Sequence, residues 1–358
     1  MRLRLGAAAL CMALLLTGCG AAAQESSSDT GIKAEVPSAS ADIFAMDTYM
    51  TVTCYGERCE EAVEAAENEI RRLDDLLSVG NEDSEISRIN RDGTGTVSED
   101  TVEMVAEALS LYHTTGGAFD ITVYPLMELW GFTTGDFAVP DAAALADALA
   151  DALADSGSDK VTLDGDTVTL PEGQGIDLGG IAKGFTSARL MEIFKEYNLV
   201  SGVVSLGGNV QCYGTKTDGS LWRCGIQDPQ DPDGDSYLGV LSLADKAVIT
   251  SGAYERYFVD EATGKTYHHI LDPKTGYPAN NGLRSVSVVS ANGMLADGLS
   301  TACYVMGLER SIDYWRTYGS EFDLILMDEA GEVYVTEPIA EQFSSDFTVH
   351  VISQEGVS

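Results

Sequence analysis

Apolar residues are distributed along the chain in three distinct ways. Residues 5–16 form an uncharged apolar run behind the basic Arg2 and Arg4. At about a dozen residues this run is too short for a spanning helix, which needs about 20. From Gly20 to Ala41 the chain is rich in Ala, Ser, Asp and Glu, without aromatics or apolar period. Such a stretch reads as a flexible tether. Beyond it, periodic patterns begin. Thr48, Tyr49, Thr51, Val52 and Thr53 predict a strand over 43–55. Ala62, Ala65, Ala66, Ile70, Leu73 and Leu77 predict a helix over 57–77. Residues 84–90 read as a short turn or helix. Ser98-Glu99-Asp100 caps a helix running to about 114. Residues 141–156 repeat Ala-Asp-Ala-Leu and predict an amphipathic helix used for packing or as a variable insert.

Strand patterns dominate from Lys160. Residues 161–163 and 167–170 flank Asp164-Gly165-Asp166, a hairpin signature. A helix is expected over 185–197 and another over 296–305. Strands are expected over 203–206, 222–226, 239–243, 286–289 and 324–327. No regular βαβ repeat appears, so the expected class is α+β, with mixed, largely antiparallel sheets and flanking helices. No linker divides residues 42–358, which read as one domain.

Charge narrows the possible partners. The chain of 358 residues carries 57 acidic against 21 basic side chains, a formal balance of −36. A surface this acidic repels phosphate backbones and argues against nucleic-acid binding. An anionic small-molecule ligand would need a mediating cation. The basic start and apolar run make residues 1–18 a secretory signal. Leu16-Thr17-Gly18-Cys19 resembles a bacterial lipobox, which implies cleavage before Cys19 and lipidation of that Cys. The expected working place is therefore outside the cytoplasm, on the cell membrane, with residues 19–41 as the tether. Of the remaining cysteines, Cys54/Cys59 and Cys212/Cys224 can bridge in an oxidising space. Cys303 makes the count odd, so all five cannot pair internally.

Four segments combine glycines, small polar residues and isolated charges. They are Thr115-Gly116-Gly117-Ala118-Phe119-Asp120-Ile121-Thr122, Gly175-Ile176-Asp177-Leu178-Gly179-Gly180-Ile181-Ala182-Lys183-Gly184, His268-His269-Ile270-Leu271-Asp272-Pro273-Lys274-Thr275-Gly276 with Thr250-Ser251-Gly252, and Ala296-Asp297-Gly298-Leu299-Ser300-Thr301. Glycines opening into a helix let a ligand approach the backbone, and a helix start offers unpaired N–H groups to an anion. Lys183 adds positive charge, so the second segment suits a pyrophosphate, although a plain turn has the same look. Asp297 and Thr301 share one helix face and offer hard oxygens to Mg²⁺; the alternative is an Asp N-cap beside an incidental Thr. His268 and His269 are adjacent and cannot both face one site on a strand. One of them can act as acid or base near neutral pH.

In this order and spacing the four segments resemble the ApbE family of FAD:protein FMN transferases, from about Phe44 to about Met327. Ser84-Glu85-Ile86-Ser87-Arg88-Ile89-Asn90, Ser205-Leu206-Gly207-Gly208-Asn209 and Trp222 with Gly225-Ile226-Gln227-Asp228-Pro229 agree as well. The resemblance implies a reaction dependent on Mg²⁺, or Mn²⁺ in its place. A Thr hydroxyl of an acceptor flavoprotein attacks the FMN-side phosphorus of FAD, and AMP leaves. Acceptors would be subunits of membrane electron-transfer systems. By the same resemblance, Met46, Ala118, Phe119, Asp120, Asp177, Lys183 and Ile270 would meet FAD. The Gly180 carbonyl, Asp297 and Thr301 would hold the metal, and His269 would be the base. Phe119 suits the face of an isoalloxazine or adenine. One departure stands out: many relatives place a FAD-contacting Tyr after Leu77-Ser78, where this chain has Val79-Gly80-Asn81. Two other functions fit the same residues. One is hydrolysis of FAD to FMN and AMP, with water replacing Thr. The other is non-catalytic capture of FAD.

Overall fold

The computed structural model describes residues 35–141, 143, 145 and 157–357, with the pair Arg4–Leu5. Cys19 and most of the helix expected over 141–156 lie outside the described residues. A nine-stranded sheet is the spine of the fold. Numbered within the sheet, its strands are β1 (Ser38–Ala45), β2 (Thr48–Tyr55), β3 (Ser201–Leu206), β4 (Asn209–Tyr213), β5 (Ala247–Gly252), β6 (Leu283–Ser290), β7 (Phe322–Asp328), β8 (Val333–Thr336) and β9 (Val349–Ile352). Their order across the sheet follows the chain. Every neighbouring pair is antiparallel except β8 and β9. The α+β class with antiparallel pairing is therefore what forms.

Helices α1 (Cys59–Leu77), α2 (Glu85–Asp92), α3 (Glu99–Thr115), α4 (Tyr124–Leu129), α5 (Ala182–Glu196), α6 (Gly293–Met306) and α7 (Leu308–Tyr318) flank this sheet. The cap expected at Ser98 is present, its Oγ accepting the Thr101 N–H, and Ser84 Oγ caps α2 in the same way by accepting the Ser87 N–H. α1 and α5 bury Ala62, Ala66, Ile70, Leu190 and Phe194 against β1–β3. α3, α6 and α7 cover the middle strands through Met104, Leu111, Leu299, Cys303 and Trp315. On the opposite face lies a small sheet of Trp222–Gln227, Tyr237–Leu243 and Phe343–Ser344, which buries Trp222 and Leu241 with Val248, Val289 and Ile325. Covered on both faces, β7 is apolar along most of its length, which explains its uninterrupted hydrophobic pattern.

The structure departs from the sequence expectation at the first strand. Residues 43–55 hold the end of β1, the turn and the whole of β2, the two strands of a hairpin. The turn is Met46-Asp47, both with left-handed backbone at φ 48° and 57°. Asn-Gly usually marks such a turn, so Met-Asp hides it. The Asp74 carboxylate on α1 accepts a backbone hydrogen bond from Met46 and helps hold it. β1 starts at Ser38, inside the stretch read as tether. Ser40 Oγ bonds Thr53 Oγ1 at 2.8 Å and Thr51 Oγ1 donates to Asp42 at 2.9 Å, so polar cross-strand pairs do what apolar alternation normally does.

α5 and α6 both begin three residues earlier than their patterns suggest, and they cross at glycines. A Cβ on Gly184 would lie 2.3 Å from the Gly293 carbonyl oxygen. In α6 every residue but Leu295 and Thr301 is buried. A helix enclosed this way needs small residues where its neighbours approach.

Candidate active site

A cavity of about 400 Å³ lies where the β1–β2 turn, the loop after α3, the starts of α5 and α6, and the 268–273 segment converge. Met46, Ala118, Phe119, Asp120, Asp177, Gly180, Lys183, His269, Ile270, Asp297 and Thr301 all line it. Residues from five separate parts of the sequence thus meet around one space.

The first segment is shaped by its own hydrogen bonds. α3 stops at Gly116, φ 64°. Thr115 Oγ1 then donates to the Leu111 carbonyl at 2.6 Å and accepts the Phe119 N–H at 3.2 Å. Asp120 Oδ1 accepts from Thr122 N–H, Thr122 Oγ1 and Ser158 Oγ at 2.9, 2.6 and 2.7 Å. Burial raises the Asp120 pKa, and these donors oppose the rise. With one oxygen committed in this way, Asp120 braces the loop. Phe119 is also placed differently from the expectation of an open stacking face. It is nearly buried, with its ring edge under Gly180, 3.1 Å from where a Cβ would be.

Asn90 clamps the second segment. Its Nδ2 donates to the Ile176 carbonyl at 2.8 Å and its Oδ1 accepts the Ile176 N–H at 2.7 Å. The amide thus imitates a neighbouring strand for one residue. Asp177 N–H donates to the Ile121 carbonyl at 2.8 Å, which ties this segment to the first. Asp177 Oδ1 accepts the Gly179 N–H at 2.7 Å. Burial raises the Asp177 pKa, opposed by the Gly179 N–H, Arg256 and Lys183. Asn90→Ala is expected to weaken FAD binding about tenfold, the loss typical of a pair of buried hydrogen bonds that preorganise a loop. A flavin-fluorescence titration checks this, and wild-type affinity would remove Asn90 as a positioning residue.

Asp297 lies inside α6, whose N-cap is Asn292, so the N-cap alternative fails. Asp297 Oδ2 accepts the Gly184 N–H at 2.7 Å, which fixes the carboxylate against the first turn of α5. Burial raises its pKa, and Lys183 is the largest opposing influence. The Asn209 amide also favours its ionised form, yet Asn209 Nδ2 is buried without a well-formed hydrogen bond. Thr301 sits one turn along α6, and its Oγ1 is 3.8 Å from a notional Cβ of Gly180. Asp297, Thr301 and the Gly180 carbonyl offer only oxygen donors, the kind that could hold a hard cation such as Mg²⁺. Among the described residues no cluster of three or more His, Cys, Asp or Glu competes with it.

The two histidines divide as their adjacency requires. His268 Nε2 pairs with the Ala279 carbonyl at 3.0 Å and its Nδ1 accepts the Ile270 N–H at 3.3 Å. It is a packing residue, and burial lowers its pKa to about 4. His269 Nδ1 pairs with the Arg256 carbonyl at 3.1 Å, so Nδ1 carries the proton and Nε2 is left as an acceptor. Burial, then the charge of Arg256, holds its pKa well below 6.5. His268 gives the protein an acid-sensitive stability. The unfolded residue titrates near 6.5 and the folded one near 4, so its contribution is complete above pH 6.5. It is lost as pH falls toward 4, by about 3 kcal/mol at most. Urea midpoints at pH 7 and pH 4.5 should fall less for His268→Gln than for wild type; equal falls would refute this.

The sequence reading missed Phe44, Tyr49, Asn209, Glu255 and Arg256, which also line the cavity. Phe44 and Tyr49 form an edge-to-face pair at 5.1 Å and remain 57% and 68% exposed. Their alternation within a strand gives no sign of a cavity lip. Burial raises the Glu255 pKa to about 8, with Asp297 adding to the rise and Lys183 opposing it. Glu255-Arg256 looks in sequence like any charged turn before a strand. The aromatic cluster of Trp130, Phe132, Phe258 and Tyr267 braces this side. Trp130 Nε1 donates to the Gly276 carbonyl at 2.8 Å, which anchors the Asp272–Gly276 turn.

Comparison with known proteins identifies the class to which this fold and cavity belong. The sequence model of the ApbE family matches residues 46–326. A FAD:protein FMN transferase of Vibrio cholerae is 36% identical over 248 residues, 68% of this chain and 72% of the relative. One of Haemophilus influenzae is 31% identical, covering 79% of this chain and 82% of the relative. The crystal structure of the ApbE protein of Thermotoga maritima superposes with a TM-score of 0.78 at 32% identity, over 86% of this chain and 99% of that one. The chain belongs to the ApbE family.

Proposed function

We propose that this ApbE-family flavinyltransferase moves FMN from FAD to a Thr hydroxyl of an acceptor protein, with Mg²⁺ present and AMP released. The observation that carries the reading is the convergence of Lys183, His269, Asp297, Thr301 and the Gly180 carbonyl on one cavity. Phosphoryl transfer is chiefly positioning and neutralising charge. The Asn90 clamp and the Gly179–Gly180 backbone would seat the pyrophosphate beside Lys183. Asp297, Thr301 and the Gly180 carbonyl would hold Mg²⁺, which supplies positive charge to the phosphate oxygens. His269 is neutral with Nε2 as acceptor, so it can take the Thr proton as its oxygen attacks phosphorus. Met46 and Ile270 offer apolar contact to the flavin, over the floor made by Phe119.

Incubation with FAD, Mg²⁺ and a Thr-containing acceptor tests the reading. A fluorescent acceptor gaining the mass of FMN supports it. FMN and AMP without labelling would mean hydrolysis, and bound FAD without AMP would mean capture only. We further place the enzyme outside the cytoplasm, held at the cell membrane by lipid on Cys19, because the leader pattern ends in Leu-Thr-Gly-Cys. Among the described residues no helix is long and apolar enough to cross a membrane. Cys19→Ser is expected to move the protein out of the membrane fraction; unchanged fractionation would sink the anchor. Its acceptors would then be flavoprotein subunits of membrane electron-transfer systems.

A further inference from the structure

We propose that Arg256 is a second cationic contact for the pyrophosphate of FAD, alongside Lys183; the identity of the dinucleotide rests on the function proposed above. Cations are scarce in a chain with a formal balance of −36. Many of them are spent in surface ion pairs. Lys183 and Arg256 line the cavity, and among the described residues neither joins an ion pair. Asp177 lies within electrostatic range of both cations and Asp297 within range of Lys183, but no carboxylate makes a direct ion pair with either, so their N–H donors stay open to an incoming anion.

The side chain is held for such an anion. Arg256 Nη2 donates to the Phe132 carbonyl at 2.9 Å, its one side-chain hydrogen bond among the described residues. Guanidinium has five N–H donors in a planar fork, so the rest are available for phosphate oxygens. Its charge is felt by both Asp177 and His269, from separate segments of the wall. The Arg256 carbonyl also receives the His269 backbone N–H and Nδ1, each at 3.1 Å. One residue therefore fixes the tautomer of the candidate base with its backbone and offers positive charge with its side chain. FAD brings two phosphate charges, and in the absence of Mg²⁺ Lys183 alone answers one of them.

The test measures binding of FAD and of ADP to the purified full chain across a range of salt concentrations. Arg256→Met is expected to weaken both ligands about tenfold or more, the loss typical of charge-assisted hydrogen bonds. It should also flatten the salt dependence of binding, because one screened attraction is gone. Arg256→Lys should restore the salt dependence and part of the affinity, since it returns the charge without the fork. Arg71→Met, which removes an exposed cation paired with Glu67, should change neither. Wild-type affinity in Arg256→Met would overturn the proposal. So would weakened binding with an unchanged salt dependence, the mark of a residue that only pegs the Phe132 loop. These readouts need no acceptor. A wild-type protein that binds FAD through Arg256 yet labels no acceptor would sink the transferase reading and leave this contact standing.

Discussion

Asp297→Asn is expected to lower Mg²⁺-dependent FMN transfer by about a hundredfold to a thousandfold, the range seen when one electrostatic stabiliser of a transition state is removed. The replacement is nearly isosteric. Its amide oxygen can still accept the Gly184 N–H that Asp297 Oδ2 accepts at 2.7 Å. Burial already disfavours the carboxylate charge, so the fold loses little when it goes. The lost element is the one formal negative charge of the proposed metal site, whose other donors would be Thr301 and the Gly180 carbonyl. Initial transfer rates over a range of Mg²⁺ concentrations check the result. Wild-type rates at saturating Mg²⁺ would remove Asp297 from the metal site.

The second large effect is structural. Gly184→Ala should destabilise the protein by about 3 kcal/mol or more, the upper range for overpacking a tight contact. Helix propensity alone points the other way, since Ala in place of Gly favours a helix by about 1 kcal/mol. Packing decides the sign. The new Cβ would sit 2.3 Å from the Gly293 oxygen, 2.5 Å from Asp297 Cβ and 2.8 Å from the Gly293 carbonyl carbon. Backbone atoms cannot swing aside as a side-chain tip can, so α5 and α6 must separate. That shift would also part Lys183 from Asp297. Urea and thermal midpoints measure the effect, and an Ala variant as stable as wild type would refute it.

Much of the fold was legible because most elements bury one face. α1 shows its apolar stripe, and Ser98 announces the helix it caps. The β1–β2 hairpin was hidden because its left-handed turn uses Met46 and Asp47 in place of Gly or Asn. The starts of α5 and α6 were obscured by Gly184 and Gly293, poor helix formers retained for the crossing. Glu255 and Arg256 carried no signal of their own. Charged side chains before a strand usually face water, and only the surrounding segments turn them toward a cavity.

Composition and local pattern by themselves determined the acidic balance, the α+β class with antiparallel strands, the leader pattern ending at Cys19, and four glycine-rich segments bearing Asp120, Asp177, Lys183, His269, Asp297 and Thr301. These properties are local, since each follows from the spacing of residues near one another in the chain. Tertiary structure alone decided which chemistry meets which. It placed Asp297 against the Gly184 N–H across 113 residues of chain and Asn90 against Ile176 across 86. It turned His269 toward the cavity and His268 toward Ala279, and brought Arg256 beside Asp177. Such juxtapositions depend on how α5, α6 and the long sheet pack together, and packing of distant surfaces leaves no periodic mark on the sequence.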